Sequence, residues 1–487
     1  MRKIRHILIA LAAALAFGSC EPKQEPEPVV VDDAPKELTL SAAAFEVAQA
    51  GQTLSLTVTA PTRPSVTGLP AWIAFKDGTF KDYKVTFGLV VAENTAYEGR
   101  EVTLTVNAGT LSQTLHISQA AAEKPVPPQM DKSKIAKAPL NPNAGEAARK
   151  LYTFLLEQYG EKTLSGVQSS MSHINDFVDA VYKATGKHPA LAGYDFIYLQ
   201  FSPTPSSWSW KQDYTDISAQ KEHWNAHGII SYMWHWNVPE SESVFRGSGT
   251  DGYGFYTPGA NNGYGETPFD IREALKEGTW QHECILSDID EIAVTFKLLQ
   301  EAGIPVLFRP LHEAAGNYTR YNPGGGAWFW WGRYGASCCK QLWNLLRDRL
   351  EGHHGLNNLL WVWTMDVSPG FEDAAAEWYP GDDKVDIVGA DIYESNIGVK
   401  ETQFEFLLKV TGGKKILTVS ECGNIPSPAE NIQAGKPWSW FLVWPSADND
   451  GNIQLTPASW NLNTLDYWKS LMSNPYVYTR ETMPSLK

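Results

Sequence analysis

The chain has 487 residues, which is enough for two or three domains with large hydrophobic cores. Its 55 Asp and Glu residues outnumber the 40 Lys and Arg residues, which gives a formal net charge of −15. Because binding to a phosphate backbone needs a basic surface, this charge argues against a nucleic-acid partner, and none is expected.

The N-terminus has the three-part pattern of an export signal. A basic start, Met1-Arg-Lys-Ile-Arg5, precedes an apolar run from Ile7 to Phe17 that is too short for a comfortable membrane span. The small residues Gly18-Ser19 then lead to Cys20, and this combination resembles a bacterial lipoprotein signal. The resemblance implies removal of residues 1–19 and a lipid anchor on Cys20, at the surface or periplasmic face of the outer membrane. An ordinary cleaved signal is the alternative.

The next segments predict a tether and a small β domain. Residues 20–35 are rich in Pro and Glu, which is typical of an extended spacer. Over residues 36–121 short strands such as Thr53–Thr59 and Glu101–Asn107 alternate with period two, which predicts an immunoglobulin-like β-sandwich. This region resembles the BACON domain, and the motifs that carry the resemblance are Leu69–Trp72, Glu98–Val102 and Ile117–Gln119. That resemblance implies either glycan binding or a spacer, and the lack of an aromatic row favours a spacer.

After a Pro-rich linker at residues 122–142, residues 143–487 predict an α/β domain. Amphipathic segments such as Glu146–Tyr159, Ile289–Ala302 and Gln341–Leu350 predict helices. Candidate strands are Thr163–Val167, Ala190–Phe196, Gly228–Trp236, Pro305–Glu313, Leu359–Thr364, Val385–Tyr393, Lys415–Glu421 and Trp438–Trp444. Eight strands with crossovers over this length predict a (β/α)₈ TIM barrel with long loops.

Two of the predicted strands end in glutamate. The apolar run Ile304–Phe308 continues through a charged stretch to Glu313, and Ile416–Ser420 runs directly into Glu421. Since TIM-barrel active sites lie at the C-terminal strand ends, we expect both carboxylates at the barrel mouth. Glycoside hydrolysis uses such a pair: a gap of roughly 5 to 5.5 Å indicates retention, and roughly 6.5 to 9.5 Å indicates inversion.

From about Ala144 to the C-terminus the chain resembles glycoside hydrolase family 26. The motifs that carry the resemblance are Arg309-Pro-Leu-His-Glu313, Trp328-Phe-Trp-Trp-Gly332, Asp391-Ile-Tyr393, and Glu421 with Trp444. That family is dominated by β-1,4-mannanases and belongs to a retaining clan with the acid after strand four and the nucleophile after strand seven. The resemblance implies that Glu313 is the general acid/base and Glu421 the nucleophile.

The same resemblance implies further site residues. Substrate contacts are expected from His235, Trp236, His312, Trp328, Tyr393 and Trp444. Tyr393 would also donate a hydrogen bond to the nucleophile, and Arg309 and Asp391 would support the site. Strand alternation is expected to place Arg309 on the face of Glu313, where it could hold Glu421 ionised. A structural pair of Arg309 with some other carboxylate is the alternative.

No metal or cofactor is expected. The cysteines beyond Cys20 are scattered and form no C-x-x-C pattern: Cys284, Cys338, Cys339 and Cys422. They predict buried free thiols, with one disulfide left open. The stretch Asp448–Asn452 lacks the glycine and terminal glutamate of a calcium loop, so a turn is expected there.

The resemblance therefore implies a retaining endo-β-1,4-mannanase that acts on galactomannan or glucomannan, and a monomer is expected. A β-glucanase, a β-1,3-xylanase or a mannobiose-releasing exo-type mannanase would use the same chemistry. A non-catalytic glycan-binding lipoprotein is the alternative from another class, and the intact glutamate pair argues against it. Two long segments, Gly247–Gly265 and an insertion at Asn317–Gly326, are expected to shape the cleft and its specificity.

Overall fold

The computed structural model divides the chain into two compact units, Met1–Val126 and Pro127–Lys487. It describes residues 34–96, 98–122, 130–170, 173–205, 207, 211–247, 251–318, 326–366, 376–444, 446–447 and 453–487. The predicted signal, Cys20 and nearly all of the predicted tether lie outside these ranges. Within these ranges, no helix is both long and apolar enough to cross a membrane.

The first unit is a sandwich of two four-stranded sheets. Its strands are β1 (Thr39–Leu40), β2 (Ala44–Val47), β3 (Gln52–Thr59), β4 (Ser65–Thr67), β5 (Ile73–Lys76), β6 (Lys84–Val91), β7 (Arg100–Ala108) and β8 (Leu111–Gln119). One sheet has the order β1-β3-β6-β5 and the other β2-β8-β7-β4. The predicted all-β sandwich is confirmed.

Alternating burial explains how the sandwich closes. In β3 the side chains of Leu54, Leu56 and Val58 are buried between exposed or half-buried neighbours. Because side chains alternate across a strand, this pattern gives the sheet one apolar face to pack against the other sheet. The hairpin between β7 and β8 turns at Gly109, whose φ of +61° is a conformation that glycine adopts without strain.

The second unit contains a closed barrel of eight parallel strands. The strands of this unit, in chain order and including three outside the barrel, are β9 (Thr163–Gln168), β10 (Leu191–Asp195), β11 (Ile229–Met233), β12 (Val238–Pro239), β13 (Tyr253–Gly254), β14 (Val306–Arg309), β15 (Leu359–Asp366), β16 (Ile387–Ile392), β17 (Ile416–Cys422), β18 (Trp440–Val443) and β19 (Val477–Tyr478). The barrel order is β10-β11-β14-β15-β16-β17-β18-β9, and β9 pairs with β10 to close the ring. The predicted (β/α)₈ barrel is confirmed.

The short strands β12 and β13 pair with each other in the loop after β11, and β19 pairs with the first two residues of β9. In the barrel strands β9, β10, β11, β14, β16, β17 and β18 every residue is buried. Helices cover the outer face of such a barrel and packed side chains fill its interior, so its strands lack polar alternation. This is why continuous apolar runs predicted them.

The helices surround the barrel. They are α1 (Glu146–Gln158), α2 (Asp176–Thr185), α3 (Ser218–Asn225), α4 (Glu242–Arg246), α5 (Ile271–Ala274), α6 (Trp280–Glu301), α7 (Ala336–Arg347), α8 (Glu401–Val410), α9 (Pro428–Gln433) and α10 (Leu465–Met472). The helix α6 starts well before the predicted Ile289, because the Thr279 side chain caps it by accepting the His282 N–H. The first turns of α6 are polar, so the pattern of apolar residues did not reveal where the helix begins.

Candidate active site

Polar side chains from several barrel strands meet at the C-terminal mouth. They are Asp195 at the end of β10, Arg309 at the end of β14, Asp391 in β16, Tyr393 directly after β16, and Glu421 in β17. Parallel strands present their carboxyl ends at one edge of a barrel, so residues distant in sequence come into contact there.

Arg309 is buried between two carboxylates. Its Nη1 lies 3.1 Å from Asp391 Oδ2, and its Nη2 donates to Glu421 Oε1. All three residues are at most 4% exposed. Burial alone would lower the pKa of Arg309, but Asp391 and Glu421 outweigh it and raise that pKa above its ordinary value. The guanidinium therefore holds a fixed positive charge against one oxygen of Glu421.

Tyr393 occupies the other oxygen of Glu421. Its hydroxyl donates to Glu421 Oε2 at 2.5 Å, although the residue as a whole is 40% exposed. Burial of the hydroxyl, followed by the charges of Glu421 and Asp391, raises the pKa of Tyr393 well above its ordinary value. The phenol therefore stays a hydrogen-bond donor at neutral pH, and the Glu421 carboxylate is fixed from both sides.

Glu313 lies beyond its strand, contrary to the prediction that the strand continues through it. The strand β14 ends at Arg309 and Pro310 follows, which has no N–H to continue the ladder. Leu311 and Glu313 then adopt φ values of +52° and +47°, in the left-handed region. Residues other than glycine rarely adopt this conformation, and those that do cluster at active sites. Strand alternation therefore does not place Arg309 and Glu313 on one face. The expected contact of Arg309 with Glu421, on a strand across the mouth, is present.

The turn of Glu313 is closed by backbone hydrogen bonds. Its N–H donates to Thr364 O at 3.3 Å, and its carbonyl accepts the Gly316 N–H at 2.8 Å. The charge of Glu313 adds to burial in raising the pKa of Tyr256, and it also contributes to that of Tyr393. Since Tyr393 binds Glu421, the charges of both glutamates act on one phenol.

Three side chains form a hydrogen-bonded chain at the mouth. Asp195 Oδ2 lies 2.6 Å from His235 Nδ1, and His235 Nε2 lies 3.2 Å from His312 Nε2. Asp195 Oδ1 also accepts the His235 backbone N–H at 2.9 Å, which fixes the carboxylate. Asp195 was missed among the sequence candidates, although its place at the tip of a predicted strand was an available signal.

This chain sets the tautomers of both imidazoles. A carboxylate only accepts, so neutral His235 carries its proton on Nδ1 and offers Nε2 as an acceptor. His312 then donates through Nε2 and keeps a bare Nδ1, which is buried with no partner among the described residues. Burial, followed by His235 and Arg309, lowers the pKa of His312 well below its ordinary value. The ring is neutral and carries one buried acceptor.

Trp444 lies at the mouth. It directly follows β18, and its N–H donates to Cys422 O at 3.0 Å. Its half-buried ring meets the His235 ring edge to face, with 5.5 Å between the centroids. The ring therefore borders the imidazole chain, where it can form a wall of the cleft.

Trp328 lies beside the turn of Glu313 despite the insertion before it. Its N–H donates to Gly316 O at 3.1 Å, and a Cβ on Gly316 would come within 2.3 Å of its indole. Asn317 Nδ2 donates to Gly326 O at 2.9 Å, so the insertion leaves and rejoins the chain at one place. Residues 319–325 of the insertion lie outside the described ranges.

Trp236 is not at the mouth, which corrects its predicted substrate contact. It is 1% exposed, and its ring stacks on Trp234 with 3.8 Å between the centroids. Its Nε1 donates to Asp288 Oδ2 of α6 at 2.7 Å. Because β11 ends at Met233, strand alternation no longer fixes the side of the barrel on which Trp236 lies. The residue packs the barrel against α6.

Asp288 accepts that indole N–H in surroundings that oppose its charge. Burial, with a smaller contribution from Glu291, raises its pKa from 3.8 to about 7. A raised carboxyl pKa costs no stability below pH 3.8, and the cost grows up to about pH 7, where it reaches at most about 4 kcal/mol. Partial solvent contact of the side chain reduces that figure. Asp288→Asn should therefore raise the melting temperature at pH 8 more than at pH 4.

Asp290, on the same helix, provides the matched control. Arg349 and His354 hydrogen-bond to its carboxylate and lower its pKa. A lowered carboxyl pKa contributes stability above pH 3.8, so Asp290→Asn should lower the melting temperature at pH 8. Shifts of the same sign for the two variants at pH 8 would contradict the assignment of Asp288.

The described residues offer no assembled metal site and no disulfide. Their four cysteines, Cys284, Cys338, Cys339 and Cys422, are free thiols. Three or more His, Cys, Asp or Glu side chains placed to hold a metal ion are not found in this part of the chain. The turn expected at Asp448–Asn452 lies outside the described ranges.

Two family models match the chain. The model described as glycosyl hydrolase family 26 matches residues 140–481, which is more than half of the chain. The BACON model, described as an N-terminal binding domain, matches residues 47–120. The two matches cover the barrel and the sandwich respectively.

Curated relatives are mannanases by name. A mannan endo-1,4-beta-mannosidase of Thermothelomyces thermophilus is 37% identical over 345 residues, which cover 70% of this chain and 62% of the relative. Mannan endo-1,4-beta-mannosidase B of a Piromyces species is 35% identical over 321 residues, which cover 64% of this chain and 49% of the relative. The chain thus spans about half to three fifths of the length of these relatives.

Solved structures share the barrel. A beta-mannanase from a symbiotic protist of the termite Reticulitermes speratus, complexed with gluco-manno-oligosaccharide, superimposes with a TM-score of 0.60 at 32% identity, covering 72% of this chain and 98% of that one. The family 26 domain of a Prevotella bryantii endo-beta-mannanase/endo-beta-glucanase gives a TM-score of 0.60 at 31% identity, covering 72% and 99%.

Proposed function

The chain belongs to glycosyl hydrolase family 26, and on that premise we propose that it is an endo-acting β-1,4-mannanase that hydrolyses its substrate with retention. The observation that carries the proposal is the carboxylate pair at the mouth. Glu421 is fixed by Arg309 and Tyr393, and the charge of Glu313 acts on the same phenol. The names of the relatives support mannan as the substrate class.

In the first step Glu421 attacks the anomeric carbon of the mannose at the cleavage point. Glu313 donates its proton to the glycosidic oxygen, the carbon–oxygen bond breaks, and the leaving sugar departs with that proton. Arg309 and Tyr393 orient the attacking carboxylate by holding one oxygen each. The product of this step is a covalent mannosyl ester on Glu421.

In the second step Glu313, now a carboxylate, takes a proton from a water molecule. The water attacks the anomeric carbon from the face that the leaving group vacated, and Glu421 is released. Two inversions at one carbon retain its configuration.

Asp195→Asn is expected to lower kcat on mannan by about 10- to 100-fold with little change in melting temperature. The new amide N–H would face His235 Nδ1 and move the proton of that ring to Nε2. His312 would then carry its proton on Nδ1 and lose its acceptor. Steady-state kinetics with a thermal melt of each variant would measure both effects.

Glu481→Gln is the matched control. Glu481 also pairs with an imidazole, His188, at 2.6 Å, but His188 precedes β10 and lies at the opposite end of the barrel. We expect its activity to equal that of the wild type. Equal losses in the two variants, or full activity of Asp195→Asn, would contradict the tautomer assignment.

Galactomannan and glucomannan are the polysaccharides that we assign to the cleft. Chromatography of the products from a mannan, a mixed-linkage β-glucan and a β-1,3-xylan tests this assignment. A ladder of manno-oligosaccharides from mannan alone supports an endo-acting mannanase. Mannobiose as the sole early product would indicate exo action, and products from glucan or xylan but not mannan would overturn the proposal.

A further inference from the structure

We propose that Trp460 is the stacking platform for the second mannose on the non-reducing side of the cleavage point. The proposal rests on the mannanase function above and adds a binding residue that the sequence motifs did not single out. Trp460 belongs to the segment after β18 and is half-buried.

The indole of Trp460 lies flat over Gly423, two residues after the nucleophile Glu421. A Cβ on Gly423 would lie 2.3, 2.4 and 2.7 Å from the indole atoms Cδ2, Cε3 and Cε2. Three ring atoms at nearly equal distance mean that the face of the ring, and not its edge, covers the glycine. Only a residue without a side chain permits this close approach.

Two buried asparagines fix the Trp460 segment to the segment after β17. Asn463 Nδ2 donates to Gly423 O at 2.7 Å, and its Oδ1 accepts the Ile425 N–H at 2.9 Å. Asn424 Oδ1 accepts the Leu462 N–H at 3.1 Å. Both asparagines are at most 3% exposed. The indole is therefore preorganised before any ligand arrives.

Trp460 adjoins the catalytic residues through Tyr393. The two ring centroids are 5.4 Å apart and the rings are inclined by 42°. Tyr393 is 40% exposed and its hydroxyl binds Glu421, so the two aromatic residues lie beside the nucleophile. A pyranose presents an apolar C–H face and peripheral hydroxyls, which suits stacking on an indole of this kind.

The position of Trp460 identifies which sugar it binds. The leaving group departs on the side of the acid Glu313, where Tyr256 and Trp328 lie. Trp460 lies instead with Tyr393 and with the segment that follows Glu421. A β-1,4-linked chain that spans both carboxylates therefore extends its non-reducing end toward the indole.

Two chromogenic substrates that differ by this one sugar test the proposal. They are 4-nitrophenyl β-mannoside and 4-nitrophenyl β-mannobioside, and the ratio of their kcat/KM values measures the contribution of the second sugar. We expect Trp460→Ala to lower this ratio about tenfold relative to the wild type. Trp460→Leu, which keeps volume over Gly423 without an aromatic face, should also lower it, and Trp460→Phe should restore most of it.

Trp328→Ala is the matched control, because it removes an indole from the acid side. Both substrates share the nitrophenyl leaving group, so this change should leave the ratio as in the wild type. An unchanged ratio in folded Trp460→Ala and Trp460→Leu, with normal mannan hydrolysis, overturns the inference and leaves the proposed function standing. A wild type that cleaves neither mannan nor the mannosides overturns the proposed function and the inference with it.

Discussion

Replacement of Glu421 or Glu313 by alanine is expected to lower kcat on mannan by at least about 10⁴-fold. Loss of Glu421 removes the group that forms the covalent intermediate, and loss of Glu313 removes the proton donor. Arg309 keeps its Asp391 partner in Glu421→Ala, so the fold should survive. Reducing-sugar release from mannan, with a thermal melt of each variant, would measure both effects.

Azide distinguishes the roles of the two glutamates. An alanine at either position leaves room for a small anion beside the anomeric carbon. On an activated aryl mannoside, Glu421→Ala should give an α-mannosyl azide, because azide attacks from the face of the missing nucleophile. Glu313→Ala should give a β-mannosyl azide, because azide replaces the water that attacks the covalent intermediate. The reverse pattern would contradict the assignment of acid and nucleophile.

Arg309→Met is expected to destabilise the barrel by about 3 to 5 kcal/mol, because it leaves the buried carboxylates of Asp391 and Glu421 without their cation. Activity should be lost as well, since one oxygen of Glu421 is no longer held. Adding Asp391→Asn should recover part of the stability, because it removes one unpaired charge. Denaturant unfolding of the single and double variants would measure these differences.

Arg349→Met is the matched control for Arg309. Arg349 pairs with Asp290 at 2.6 Å, but their side chains are 25% and 39% exposed, so water screens the pair. We expect a loss of no more than about 1 kcal/mol. Similar losses for Arg309→Met and Arg349→Met would show that the buried cation between two carboxylates has no special role in the fold.

The barrel strands could be predicted because they are buried on both faces. Each one is a short apolar run, and the eight predicted runs all became strands in one closed ring. The ends of the strands were predicted less accurately. The strand β14 stops at Arg309, although the prediction extended it to Glu313. A proline and two left-handed residues end the strand there, and neither feature alters the apolar pattern that predicted it.

Contacts beyond the strand ends could not be predicted in the same way. Trp236 follows β11 by three residues, and the path of the chain there turns its ring toward Asp288. Asp195 lies at the tip of a predicted strand but outside any quoted motif, and Trp460 has no distinguishing pattern in the sequence. Their roles follow from closure of the barrel, which brings Asp195 to His235, and from the loop that lays Trp460 over Gly423. Such placements depend on loop geometry, for which periodicity carries no information.

The anomeric configuration of the first product tests the central claim most directly. Proton NMR spectra recorded during the first minutes of manno-oligosaccharide hydrolysis distinguish the new reducing end before it equilibrates. Double displacement through Glu421 predicts that the β-anomer forms first and that the α-anomer appears later by mutarotation. An α-anomer that forms first, or a manno-oligosaccharide that stays intact, would contradict a retaining mannanase.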